Sequence, residues 1–240
     1  VDKIIFISNW VKKKFFEDLN FKDHNKTEII YHSINPIKKI YKKKKKQIIF
    51  IGKLNQSKGY DLFCEALIEV LNKYNDWEAY SAGDEKRFKP YKTHKRHSNL
   101  GLLSNKEALE LFETSEIAVI PSRWEEPFGR TALESSSRGC ATIISDRGGL
   151  PETTDDAIIL KKLDKTEIIK NLEKLINNKS LRTRLQLSGL KNVKHTLEKN
   201  SKKIDYTRSS LFPFSNFNTN NGKIRILNIY NLAQKLNHRI

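Results

Sequence analysis

Between Gln47 and Leu160 five short apolar runs, IIFIG, WEAYSAG, IAVIPS, ATIISD and AIIL, alternate with segments whose apolar residues recur at helical spacing. Runs of this kind, bounded by Gly, Pro, Ser or Asp, are predicted strands, and their unbroken hydrophobicity implies burial on both faces. In the first intervening segment Leu62, Phe63, Ala66, Leu67, Val70 and Leu71 trace one stripe. Ser104 with Glu107 forms a capping-box pattern ahead of Ala108, Leu111 and Phe112, and Asp164 with Glu167 repeats it ahead of Ile168, Leu172 and Leu175. Such alternation predicts an α/β fold, a Rossmann-like parallel sheet with helices on both faces and ligands beyond the carboxyl ends of its strands.

The flanks read differently. Ile4–Ser8 reads as a buried strand, Asn9 as the cap of a helix carrying Trp10, Val11, Phe15 and Phe16, and Glu28–Tyr31 as a second short strand. The segment HSINP and the lysine run that follows lack periodicity, which puts a domain boundary at residues 33–46 and the regular unit at 47–211. After residue 179 the chain turns helical and polar. Residues 212–222 read as a linker, and Ile224–Tyr230 reads either as the first strand of a further domain or as an ordinary C-terminal element. The chain has no Met and opens on a strand, which reads as a fragment.

Composition bounds the function classes. With 38% hydrophobic residues, 240 residues suffice for a packed core. No apolar run reaches the length of a membrane span and no signal peptide is evident, so a cytoplasmic protein is expected. Cys64 and Cys140 stand far apart, with no His or Cys nearby at metal-ligand spacing, which suggests neither a metal site nor a disulfide framework. The net charge of +17 comes mostly from lysine, accompanied by abundant Asn and Ile. That triple bias is what an AT-rich genome produces without selection for a partner. Lys42–Lys46 reads as a solvated linker. A basic nucleic-acid-binding or scaffolding module is the competing reading, but the lysines are scattered and the aromatics fall in core-like periods, so no nucleic acid is expected.

Two loops carry chemistry. In FIGKLNQSKG a strand ends in Gly52, the loop holds Lys53 and Lys58, and a helix opens at Gly59. Helix-start amides and two ammonium groups favour an anion, although a Gly-Lys pair after a strand also makes a plain turn. The spacing is neither that of a P-loop nor that of the dinucleotide fingerprint. In EEPFGRTALE, Pro127 keeps Glu126 in a loop, whereas Gly129 opens a helix that carries Glu134. If a diphosphate lies between the lysines and the Gly129 helix, ionised Glu126 and Glu134 are suited to accept from hydroxyls on either side of it. A nucleotide sugar has that form.

Residues 1–210 resemble the C-terminal, donor-binding domain of retaining family 4 glycosyltransferases of GT-B architecture. The resemblance is carried by IIYHSINP, GKLNQSKG, the Glu-x7-Glu spacing of Glu126 and Glu134, GGLPE at 148–152, and RHSNLGLLSNKEALELFETSEIAVIPS leading into the acidic motif. It implies that residues 1–32 are a remnant of the N-terminal, acceptor domain, that Glu126 binds hydroxyls of the transferred sugar, and that Glu134 binds the ribose. By the same resemblance Lys53 and Lys58 hold the diphosphate and stabilise the leaving group. Backbone amides around Phe128, Gly129 and Arg130 support the ligand, Gly52 lets the loop approach it, and Leu102 and Leu103 lie near the base. No metal or cofactor is called for. The partners implied are a nucleotide-sugar donor and an unidentified acceptor, such as a lipid-linked sugar or a polysaccharide, with the lysines suited to peripheral contact with anionic lipid. The family usually carries Arg where Lys53 stands, and a lysine cannot reproduce bidentate phosphate contacts. Glu152 either caps a helix or touches the ligand, Trp124 either packs or stacks on it, and His32 reads as a surface residue.

Overall fold

The computed structural model describes residues 3–19, 24–37, 43–85 and 91–211. The expected linker at 212–222 and strand at Ile224–Tyr230 lie outside the described residues.

The regular unit is a six-stranded sheet in which every pairing is parallel. In chain order its elements are β3 (Lys45–Ile51), α2 (Tyr60–Lys73), β4 (Glu78–Ala82), β5 (His97–Asn99), α3 (Asn105–Thr114), β6 (Ser115–Ile120), α4 (Arg130–Ser137), β7 (Ala141–Ser145), β8 (Ala157–Leu160), α5 (Lys165–Asn177), α6 (Lys179–Lys191) and α7 (Leu197–Leu211). Ahead of them β1 (Ile4–Phe6) and β2 (Thr27–Ile29) flank α1 (Asn9–Leu19) and pair in parallel. The spatial order of the large sheet is β5-β4-β3-β6-β7-β8. This is the doubly wound order, and it reverses between β3 and β6.

Period-two alternation on a sheet covered on both faces explains the unbroken apolar runs in β3, β6 and β7. Ile48 and Phe50 of β3, Ile117 and Val119 of β6 and Ile143 of β7 meet Phe63, Leu67, Leu71, Ile168 and Leu172 from α2 and α5. On the opposite face Ile49, Ala118, Ile120 and Ile144 pack on Phe112 of α3 and Ala132 of α4. Helix starts follow the expected chemistry. Ser104 and Glu107 complete a reciprocal capping box on α3, and the Asp164 carboxylate accepts from the Glu167 amide at 2.8 Å.

Several expectations are corrected. The α1 cap is Ser8, whose hydroxyl accepts from the Val11 amide at 3.0 Å, and Asn9 is already the first helical residue. The flanking strands are shorter than expected, at Ile4–Phe6 and Thr27–Ile29. In the lysine run Lys43, Lys45 and Lys46 are exposed as expected, but Lys44 is not and the strand β3 begins within the run. Lys44 donates to the carbonyls of Phe112, Ser115 and Arg138 at 2.8–2.9 Å, closing the ends of α3 and α4, and burial pushes its pKa down. Lys45 opens β3, and Lys46 pairs with Asp76. Strand β5 was not anticipated, because HSN has no apolar signature and the strand pairs only with β4 at the sheet edge.

The two sheets are stitched together late in the chain. Ile34 exchanges backbone hydrogen bonds with His195 and Leu197 at 3.1 and 3.2 Å, and Thr207 of α7 donates to Glu28 at 2.6 Å. Among the described residues no helix is long and apolar enough to cross a membrane.

His97 of β5 packs its ring against Tyr60 and Phe63. Burial pushes its pKa down to about 4 from 6.5. A neutral imidazole is therefore favoured in the fold, and the associated stability is complete above pH 6.5 and is lost as pH falls toward 4. Urea unfolding is expected to show a loss of up to about 3 kcal/mol from this group across that window. His97→Gln should flatten that component; an unchanged pH profile in the variant would contradict the assignment.

Candidate active site

Doubly wound sheets leave a crevice where the strand order reverses, here beyond the carboxyl ends of β3 and β6. The loop after β3 runs from Gly52 through a 3-10 turn, Gln56–Lys58, to Gly59, which starts α2. Asn55 organises it: its side chain accepts from the Lys58 amide at 3.1 Å and from the Ser57 hydroxyl at 2.8 Å. Gly59 has φ +71°, and a Cβ there would lie 1.9 Å from the Pro121 carbonyl oxygen. Only glycine lets the two loops come this close.

The loop after β6 is held against the first by backbone. The Ser57 carbonyl accepts from the Arg123 and Trp124 amides, both at 2.9 Å. Arg123 also grips Asp61 of α2 through two contacts of 2.5 and 2.7 Å. Lys58 Nζ is thereby brought 2.6 Å from Glu126 Oε1, and the Ser122 hydroxyl donates to the same oxygen at 2.9 Å. Glu126 Oε2 has no partner among the described residues. Lys53, further up the loop, is exposed and unpaired among the described residues.

Beyond Glu126 the chain turns at Pro127 and enters α4 through Gly129, whose φ is +92° and which supplies no side-chain cap. In the first turn of α4 the Ala132 amide donates to the Gly129 carbonyl at 3.0 Å, and those of Arg130 and Thr131 have no partner among the described residues and are open to an anion at the crevice. Glu134 lies one turn into α4 and is 8% exposed. Its Oε1 accepts from Arg130 Nε at 2.8 Å and more distantly from Asn105 Nδ2 at 3.5 Å, and its Oε2 has no partner among the described residues. Each glutamate thus has one oxygen held by protein and one left over.

The other residues singled out from sequence fall into three groups. Gly52 abuts Gly83, where a Cβ would meet the Gly52 carbonyl oxygen at 1.9 Å, and the Gly83 amide in turn donates to Gly101 at 2.7 Å. These contacts line up the loop bearing Leu102, 76% exposed, and Leu103 with the β3 loop. The Phe128 side chain is buried against Tyr31, His32 and His195, so only its backbone faces the crevice. Trp124 is half-buried and His32 exposed. Ser122, Asn105 and the Arg123–Asp61 pair were not singled out. Asp61 sits two residues past Gly59, but Ser122 carries no sequence signal beyond its place at a strand end.

The GGLPE segment supports the acidic loop rather than the crevice. Gly149 donates to the Glu126 carbonyl at 2.6 Å, and Gly148 donates to the Glu125 carboxylate at 2.6 Å. Glu152 reaches across to α1 and accepts from the Asn9 and Trp10 amides at 2.8 Å, the Asn9 side chain at 2.9 Å and the Tyr31 hydroxyl at 2.9 Å. Burial and this carboxylate push the Tyr31 pKa up to about 12. Glu152 thus closes the start of α1 and not, as expected, that of a helix after Pro151. Beside it the Ser8 hydroxyl donates to the Pro127 carbonyl at 2.5 Å.

Three comparisons bear on this arrangement. The family model described as glycosyl transferases group 1 matches residues 33–192. An uncharacterized 42.6 kDa protein of the cps region of Klebsiella pneumoniae is 34% identical over 155 residues, 63% of this chain and 40% of that protein. The chain therefore spans about four tenths of that relative's length. Among solved structures, an Anabaena protein in complex with UDP and glucose superposes with a TM-score of 0.72 at 16% identity, over 88% of this chain and 64% of that one. The C-terminal domain of a group 1 glycosyl transferase from Francisella tularensis is 26% identical, with a TM-score of 0.58 over 68% of this chain and 96% of that domain.

Replacing Glu152 by Ala strips four donors of their acceptor, but the two from Asn9 are exposed and the other two only part-buried, so water takes the place of most of the lost bonds. Glu152→Ala is expected to destabilise the chain by about 2 kcal/mol. It should also speed amide exchange at Asn9 and Trp10 while leaving Ile48–Phe50 unchanged. Unaltered exchange in α1 would show that the clasp contributes nothing.

Proposed function

The chain belongs to the glycosyl transferases of group 1, and from that premise we propose that it transfers a sugar from a nucleotide-diphosphate donor bound in the crevice beyond β3 and β6. The observation that carries the reading is the Lys58–Glu126 pair at 2.6 Å where the strand order reverses, with the uncapped start of α4 beside it. Cation and helix start suit a diphosphate, and the unpaired carboxylate oxygens on either side suit hydroxyls. The solved neighbours that contain UDP or UDP-glucose supply the donor class for a first test.

In this reading the diphosphate meets Lys58, Lys53 and the backbone amides of Gly129 and Arg130, with Gly52 allowing close approach of the β3 loop. Glu126 Oε2 accepts from hydroxyls of the transferred sugar, Glu134 Oε2 accepts from the ribose, and the Leu102–Leu103 loop borders the base. As the glycosidic bond breaks, negative charge grows on the diphosphate, and the lysines with the α4 dipole stabilise it without need of a metal. The family 4 assignment and a retaining, same-face course follow from the Glu-x7-Glu resemblance, with Glu126 orienting the sugar rather than attacking it. Residues 1–32 belong to the acceptor-side unit in this reading, and Glu152 ties Asn9, Trp10 and Tyr31 of it to the donor side.

Calorimetric titration with UDP, GDP, ADP and their glucose conjugates tests the proposal. One diphosphate is expected to bind, and Lys58→Ala should weaken it about 10- to 100-fold, as loss of a charge-assisted contact implies. Glu134→Ala should weaken nucleoside diphosphates about tenfold while leaving inorganic pyrophosphate unaffected. Absence of binding by all three diphosphates at millimolar concentration would overturn the reading.

A further inference from the structure

We propose that Ser122 is a positioning residue that fixes Glu126 while Lys58 engages the diphosphate; this rests on the donor-site reading above. Ser122 is fully buried, and its hydroxyl lies 2.9 Å from Glu126 Oε1, 3.2 Å from the Trp124 carbonyl and 3.3 Å from the Ser57 carbonyl. One proton cannot serve three acceptors. The shortest contact is also the one to a carboxylate, which makes the stronger bond, so the proton goes to Glu126.

Lys58 and Ser122 share Oε1, but they are not equivalent. Lys58 is a flexible cation with 30% of its side chain exposed, and an incoming diphosphate competes with Glu126 for it. Ser122 has no such freedom. Its backbone carbonyl accepts from the buried Ser145 hydroxyl at 2.7 Å, and its neighbour Arg123 is tied to both Ser57 and Asp61. When Lys58 turns toward phosphate, Ser122 is the donor that still holds Oε1, leaving Oε2 aimed at the sugar. The carboxylate then needs no reorientation as the donor binds, which is the condition for an effective polar contact in a site of this kind.

The readout is the ratio of UDP-glucose affinity to UDP affinity, because Glu126 meets only the sugar whereas Lys58 and Glu134 meet the nucleotide. In the wild-type chain UDP-glucose is expected to bind more tightly than UDP, and Glu126→Ala should abolish the difference. Ser122→Ala should shrink the ratio about tenfold while UDP affinity stays within about twofold. Ser122→Cys, which keeps the shape with a far weaker donor, should do the same and provides the reading if the alanine variant fails to fold. A wild-type ratio in either folded variant overturns the inference and leaves the donor-site reading standing. So does an equal loss of both affinities, which would mark Ser122 as merely structural. A wild-type chain that binds both ligands equally removes the role of Glu126 and with it that of Ser122; binding of neither, but of GDP or ADP, moves the same comparison to that nucleotide and its glucose conjugate, and binding of none overturns the donor-site reading itself.

Discussion

Everything at the crevice depends on how closely the loops after β3 and β6 approach. Gly59 packs its Cα under the Pro121 carbonyl, at a distance no side chain allows and in a left-handed conformation that favours glycine. That approach lets one carbonyl, Ser57, accept two amides from the opposing loop, and it places Lys58 against Glu126. The sheet beneath is rigid because both its faces are packed, so the geometry of the two loops is inherited from the order of the strands rather than from the loops themselves. Glycines at 83 and 148 repeat the device, a Cβ at either meeting the backbone of a neighbouring loop, Gly52 O at 1.9 Å and Glu126 O at 2.2 Å.

Much of this was legible in the sequence, for reasons that can be named. Strands buried on both faces cannot hide, and the five apolar runs all became β-strands of one parallel sheet. Gly59 and Gly129 declared the starts of α2 and α4, and Pro127 put Glu126 in a loop with Glu134 on the helix beyond. What escaped notice was decided by tertiary contact. Strand β5 is three residues long and mostly exposed, so it leaves no apolar run to read. Ser8 and Asn9 are both good capping residues, and only the Ser8–Val11 contact and the distant Glu152 carboxylate on the Asn9 amide show which one caps. Ser122 bears no charge, so only its distance to Glu126 reveals it. Lys44 looks like one lysine among many until its three carbonyl partners appear.

The charge of the chain also reads differently once folded. Many lysines are committed locally: Lys58 to Glu126, Lys73 to Glu173, Lys165 to Glu69, Lys194 to Asp155 and Lys202 to Glu198. Exposed pairs of this kind contribute little stability. The Lys58–Glu126 pair is different in kind, because it is half-buried and lies in the crevice. An anion entering there takes up an ammonium that is already in place, and it frees nothing that lacks a second partner, since Ser122 remains on the carboxylate.

The most direct measurement is a crystal structure of this chain with UDP-glucose. The expected result is a diphosphate within hydrogen-bond distance of Lys58 Nζ and the first amides of α4, with the ribose hydroxyls on Glu134 and the glucose hydroxyls on Glu126. A nucleotide bound elsewhere, or bound in the crevice with its ribose away from Glu134 and its sugar away from Glu126, would contradict the assignment of the two carboxylates.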